Sequence, residues 1–141
     1  MLATMTDRGW AILIVRWISG VIWFMAGWWK CFELGPLAHA ERMFVEPYAE
    51  NWMPAWSLWA TGTSVPVIEL LAGAMLILGF RIRLALVALG AVLVLVTYGH
   101  VLENPLFDIS GHIFTRAAMV VFLLLMPRGE DRFSLDARLA R

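Results

Sequence analysis

Four stretches of the chain are long and apolar enough to cross a bilayer. A hydrocarbon core of roughly 30 Å takes about 20 mostly apolar helical residues. Trp10 to Trp29, Gly62 to Phe80, Leu84 to Leu102 and Ile109 to Met126 meet that requirement. The segment from Lys30 to Thr61 is less apolar than a span and less polar than a free linker. Within it Trp52, Trp56 and Trp59 recur at i, i+4 and i+7, which sets three indoles on one helical face. Indoles favour the headgroup level, where the ring is buried and the N–H stays wet. The pattern therefore predicts an all-α integral membrane protein: a four-helix bundle with an interfacial helical segment between helices 1 and 2. The Leu37–Ala49 part of that segment reads equally as a folded loop. The two short turns make spans two, three and four antiparallel neighbours in a single domain.

Composition agrees. The 141 residues are 61% hydrophobic and 16% charged, against about 45–50% and about 25% in soluble domains. Zero net charge gives no basic field for nucleic acid. Cys31 is the lone cysteine, which excludes an intramolecular disulfide and a CxxC motif. The first span is read as a retained helix rather than a signal peptide, because Arg16 and several tryptophans interrupt it and no A-x-A site follows.

Orientation follows from Lys and Arg near the span ends. Arg81 and Arg83 lie in the second turn, and Arg128, Arg132, Arg138 and Arg141 in the tail. The first loop sets Lys30 and Arg42 against Glu33, Glu41, Glu46 and Glu50, and the third carries Glu103 and Asp108. Both termini are expected in the cytoplasm.

Charges inside spans are costly, by about 2.5–3.5 kcal/mol each, and normally face protein or water. Glu69 and Arg116 each sit seven residues from the outer end of their spans, about 10 Å deep at about 1.5 Å per residue. Opposite charge and equal depth predict that they pair across the bundle. His112 lies one turn above Arg116, His100 marks the outer end of span three, and Lys30 that of span one. Five titratable side chains thus aim at one outer region, as a ligand pocket or as structural glue. Metal binding is not expected, since the histidine spacing carries no metal signature and Arg116 would repel a cation. Arg16, Gly20, Gly27 and Lys30 share a face of span one, read as a packing seam in which Gly20 and Gly27 admit a close partner helix; Gly73 is assigned to packing too. Phe133 and Leu135 are expected to dock the tail on the bundle while its arginines meet anionic headgroups. Asp136 is the expected partner of Arg16.

The stripe Arg16, Gly20, Gly27 and Lys30, the run Glu69-Leu-Leu-Ala-Gly73 leading to Gly79-Phe-Arg81, and the ending Arg132-Phe-Ser-Leu-Asp136 resemble the DoxX family of small bacterial and archaeal membrane proteins. That resemblance implies a four-helix bundle in the cell (inner) membrane. Its namesake belongs to a system that oxidises thiosulfate and passes electrons to quinone, and other relatives are tied to redox defence. The implied function is a quinone-linked or redox-associated membrane subunit, part of a quinone-dependent oxidoreductase rather than a self-sufficient enzyme. Quinone is the implied cofactor, with nothing covalently bound; the implied partners are lipid and either other membrane or redox proteins or further copies of the chain. The alternative is a non-catalytic accessory or scaffold subunit that docks through Trp10, Trp17, Trp23, Trp28 and Trp29. Transport is disfavoured by the absence of inverted repeats.

Overall fold

The computed structural model describes residues 5–104 and 112–139. Every regular element among them is helical. Helix α1 (Asp7–Trp28) starts at the Thr6 N-cap, whose hydroxyl accepts from the Gly9 N–H at 3.1 Å. It runs on through a π-helical stretch, Trp29–Leu34. Short α2 (Pro36–Ala40) likewise continues into π-helical Glu41–Val45. Helices α3 (Ala55–Leu78) and α4 (Ile82–Glu103) are joined by a tight turn, followed by α5 (His112–Leu125) and the tail helix α6 (Leu135–Leu139).

The four long helices close a ring, with α1 against α3, α3 against α4, α4 against α5 and α5 back on α1. The first three, counting α1 with its π-helical continuation, are long and apolar enough to cross a membrane. The 14 described residues of α5 are fewer than a span needs. The expected start of the fourth span at Ile109 lies outside the described residues. The segment between α1 and α3 is helical as expected, but Trp56 and Trp59 belong to the first turns of α3 rather than to an interfacial helix.

Polarity is distributed as lipid requires. Ile14, Trp17, Val21 and Met25 lie exposed along the outside of α1, while Arg16, Ser19 and Glu69 are buried. In water an apolar face of that extent would be an association site; in a bilayer it is the ordinary exterior. The core between the helices is built from Trp23, Val65, Leu76, Leu86, Leu89 and Val120, among others.

Two glycines set the closest approach. A Cβ on Gly27 would overlap the backbone of Leu70, and one on Gly73 the backbone of Phe24. The α1 seam read from the sequence is therefore the face α1 turns to α3. Gly90 differs, since a Cβ there would meet Val120 at 3.8 Å, ordinary contact.

The far end of the bundle is tied by side chains that finish other helices. Gly79 (φ 69°) ends α3 in a Schellman turn: its N–H donates to the Leu76 carbonyl at 3.1 Å and the Phe80 N–H to that of Met75 at 2.9 Å. The buried Arg16 guanidinium donates to the Leu76 carbonyl, to that of Ile77 at 2.9 Å and to the Asp131 carboxylate at 2.6 Å. Asp131, not Asp136, is thus the partner of Arg16. Asp136 accepts instead from the N–H groups of Arg81 (2.7 Å) and Ile82 (2.9 Å) at the start of α4. A short carboxylate at a helix N-terminus meets unpaired donors and the positive end of the dipole, which outweighs a second approach to a guanidinium already paired. Arg83 in turn donates to the carbonyls of Leu124 and, at 2.7 Å, Met126 at the end of α5.

Two stability predictions follow from these contacts, both measured by denaturant unfolding in detergent. Gly27→Ala should cost about 1–3 kcal/mol through overpacking, while Gly90→Ala stays within about 1 kcal/mol of the parent or above it. Asp131→Asn strands a buried guanidinium and should cost about 3–5 kcal/mol. Asp136→Asn weakens a cap, at about 0.5–2 kcal/mol.

Candidate functional site

Glu69 is buried and accepts from the Lys30 ammonium at 2.7 Å. The expected Glu69–Arg116 pair is not formed. The cause is the order of the ring: α1 lies directly on α3, and its π-helical turn carries Lys30 to Glu69, whereas α5 is seated against α1 and α4. Arg116 instead stacks its guanidinium over the Trp23 ring, 4.9 Å from the centroid, a cation–π contact. Trp23 is buried, so it offers no docking surface; Trp10, Trp17, Trp28 and Trp29 are exposed. The indole N–H of Trp23 and the hydroxyl of Ser19, one turn earlier, have no hydrogen-bond partner among the described residues.

Beside Lys30 opens a cavity of about 570 Å³, within the usual range for small-molecule sites, about 300–1,000 Å³. Lys30, His39, Tyr48, Tyr98 and His100 supply polar groups to a lining otherwise rich in Trp29, Met43, Phe44, Trp52 and Leu95. Of the five candidate residues, Lys30 and His100 line this space and Glu69 stands behind Lys30. Arg116 is turned to Trp23, and the side chain of His112 lies outside the described residues. Among the described residues no three His, Cys, Asp or Glu side chains converge as a metal site.

Sequence reasoning missed His39 and Tyr48. His39 has a specific cause. Pro66 lies inside α3 and has no N–H, so the carbonyl of Gly62, four residues earlier, lacks its helical donor. The Nδ1 of buried His39 stands 2.7 Å from that carbonyl. A carbonyl oxygen only accepts, so Nδ1 carries the proton and Nε2 is left as the nitrogen available to the cavity. The legible signal was the proline: a buried Pro in a membrane helix calls for a donor from elsewhere. Tyr48 is buried with its hydroxyl against Gly99 of α4. Burial, with Glu103 adding to it, raises its phenol from the ordinary 10.0 and keeps it a donor.

Burial also lowers the His39 imidazole from its ordinary 6.5; Lys30 adds to the depression, and the Gly62 hydrogen bond and Glu69 oppose it. The unfolded chain therefore takes up this proton more readily than the folded one. The stability that neutral His39 contributes is whole above about 6.5 and is lost as pH falls below it.

The fold and the cavity define a multi-pass α-helical membrane protein with a ligand-sized, mostly apolar space at one end of its bundle. A model of the family described as methylamine utilisation protein MauE matches residues 8–104, from α1 through α4, and the chain belongs to that family. No curated protein and no solved structure matches it. The resemblance to DoxX is thereby corrected. The residues that carried it are packing glycines, paired buried charges and helix caps, which any small helical membrane bundle needs and which do not separate one family from another.

His39→Ala should cost about 1–3 kcal/mol, the penalty of a buried carbonyl left unpaired. In a Pro66→Ala background, where position 66 regains an N–H, the same change should cost less than half as much. Unfolding titrations of the four proteins test this, and equal costs in both backgrounds would contradict the assignment. Repeated below pH 6.5, the parent should lose stability more steeply than His39→Ala.

Proposed function

We propose that this protein is a membrane accessory subunit of an electron-transfer system and that the cavity beside Lys30 takes a quinone. The observation that carries this reading is the cavity itself: a largely aromatic and aliphatic slot in a membrane protein, with a few polar groups in its lining. A quinone headgroup is flat and apolar, with oxygens at opposite edges. Lys30 and the Tyr48 hydroxyl donate to a carbonyl oxygen, and the Nε2 of His39 accepts from the hydroxyl of the reduced ring. The family's description as a methylamine utilisation protein supports a redox setting with other proteins as partners. The protein's own residues bind and orient the ring; the electron donor belongs to a partner.

In the proposed topology the basic turn and tail face the cytoplasm of a bacterial or archaeal cell, with both termini there. The cavity then opens in the outer half of the inner membrane. The exposed tryptophans of α1, among them Trp10 and Trp17, lie against lipid or a partner subunit.

Trp29 and Trp52 line the cavity, and quinones quench indole fluorescence on contact. In nanodiscs a water-soluble short-chain quinone should quench the parent saturably. Tyr48→Phe or His39→Gln should weaken binding about 3- to 10-fold, the worth of one hydrogen bond. Quenching that rises linearly without saturation, or is identical in all three proteins, would remove the quinone. Co-purification of a partner would then be the measure of the accessory role alone.

A further inference from the structure

At the opposite end of the bundle a second cavity, about 620 Å³, opens among the α3–α4 turn, the end of α5 and the folded-back tail. Four arginines line it, Arg16, Arg81, Arg83 and Arg128, together with two carboxylates, Asp131 and Asp136. Both carboxylates are already engaged. Asp131 neutralises Arg16 at 2.6 Å, and Asp136 receives the two N–H groups at the start of α4. Arg83 is fixed by the carbonyls of Leu124 and Met126, neutral groups that leave its charge uncompensated. Arg81 and Arg128 are exposed and make no ion pair among the described residues.

Four guanidinium charges against two carboxylates therefore leave the cleft a surplus of two positive charges among the described residues, and Ile12, Leu84 and Leu123 give it an apolar wall. A guanidinium fork matches phosphate oxygens in both charge and geometry. Basic pockets between membrane helices suit anionic headgroups, with the acyl chains left in hydrocarbon. We propose that this cavity binds a phosphate group, carried by an anionic phospholipid whose chains leave the cleft past the exposed Leu84. The site is independent of the quinone cavity. It ties a lipid to the same turn and tail that close the bundle. Arg81 is itself held there at a positive φ of 45° by Asp136, so its side chain is presented from a fixed backbone.

Native mass spectrometry of the full chain in a neutral detergent tests this. The probes are short-chain phosphatidylglycerol, phosphatidylcholine of the same chain length, and inorganic phosphate. Phosphatidylglycerol should bind in preference to phosphatidylcholine. Each arginine removed should weaken it about fivefold, so Arg81→Gln with Arg128→Gln loses about 25-fold. Arg42→Gln, on the helical segment between α1 and α3, should bind as the parent does. Should the double variant fail to fold, the single Arg128→Gln carries the test with its fivefold loss. Inorganic phosphate that binds as tightly as phosphatidylglycerol would uphold the phosphate site and make a soluble anion its ligand. Equal binding of the two lipids, or a phosphatidylglycerol affinity unchanged by the substitutions, would overturn the proposal.

Discussion

A helix that ends or breaks inside a membrane protein leaves backbone groups that lipid cannot satisfy. In this bundle the buried guanidinium of Arg16 meets that constraint. It bonds two carbonyls in the last turn of α3 and the carboxylate of Asp131, so one side chain of α1 fixes both the helix beside it and the tail. Desolvating a guanidinium is expensive, and attraction to a single carboxylate often does not repay it. The added carbonyls change the balance, because oxygens at a helix end have lone pairs that their own helix leaves unused; that of Leu76 takes Arg16 as a second donor beside the Gly79 N–H. Arg83 repeats the arrangement at the end of α5, and Asp136 its mirror image at the start of α4. The helix ends at this side of the molecule thus depend on one another, and the tail is part of the fold.

The same rule governs the other end with a different outcome. Pro66 removes one N–H from α3, and His39 replaces it from outside the helix. The repair places an imidazole of fixed tautomer at a cavity wall and anchors α2 to α3. Nearby, Lys30 and Glu69 neutralise each other across the glycine-mediated contact of α1 with α3. A buried carboxylate is tolerated there because its partner reaches it from an adjacent helix, with the ammonium partly exposed at the rim. What the sequence presents as isolated polar residues in apolar runs are two local solutions to the absence of water.

How much of this was legible depended on whether a feature is local. Three apolar helices of spanning length could be read because about 20 apolar residues leave few alternatives, and the burial of Glu69 and Arg16 because charge in hydrocarbon must be hidden. Their partners could not. Two short turns place α3, α4 and α5 in order, but the long segment after Leu34 leaves open which helices α1 lies between. That choice alone decides whether Glu69 meets Lys30 or Arg116. Asp131 and Asp136 are five residues apart on one tail, and only the path of the chain after Pro127 distinguishes the partner of a guanidinium from the cap of a helix. His39 was hidden because its segment read as a connection, although the proline four residues after Gly62 already implied an unpaired carbonyl.

The two ends of the bundle suit different tasks for reasons that lie in their chemistry. Where helix ends are stitched together by arginine and aspartate, side chains are committed and little can move. What remains there is surplus positive charge. Where a π-helical turn and a proline interrupt regular winding, the structure holds a hollow lined by aromatic rings, and His39, its Nδ1 committed to Gly62, keeps Nε2 for the cavity. Binding needs that incomplete satisfaction, since a group with every bond made inside the protein has nothing to offer a ligand. The committed end and the open one meet along the same helix pair: α1 and α3 stay in close contact from Arg16 to Gly27 and the Lys30–Glu69 pair, and the cavity opens beyond it, where the segment between them packs against the start of α3 and the end of α4.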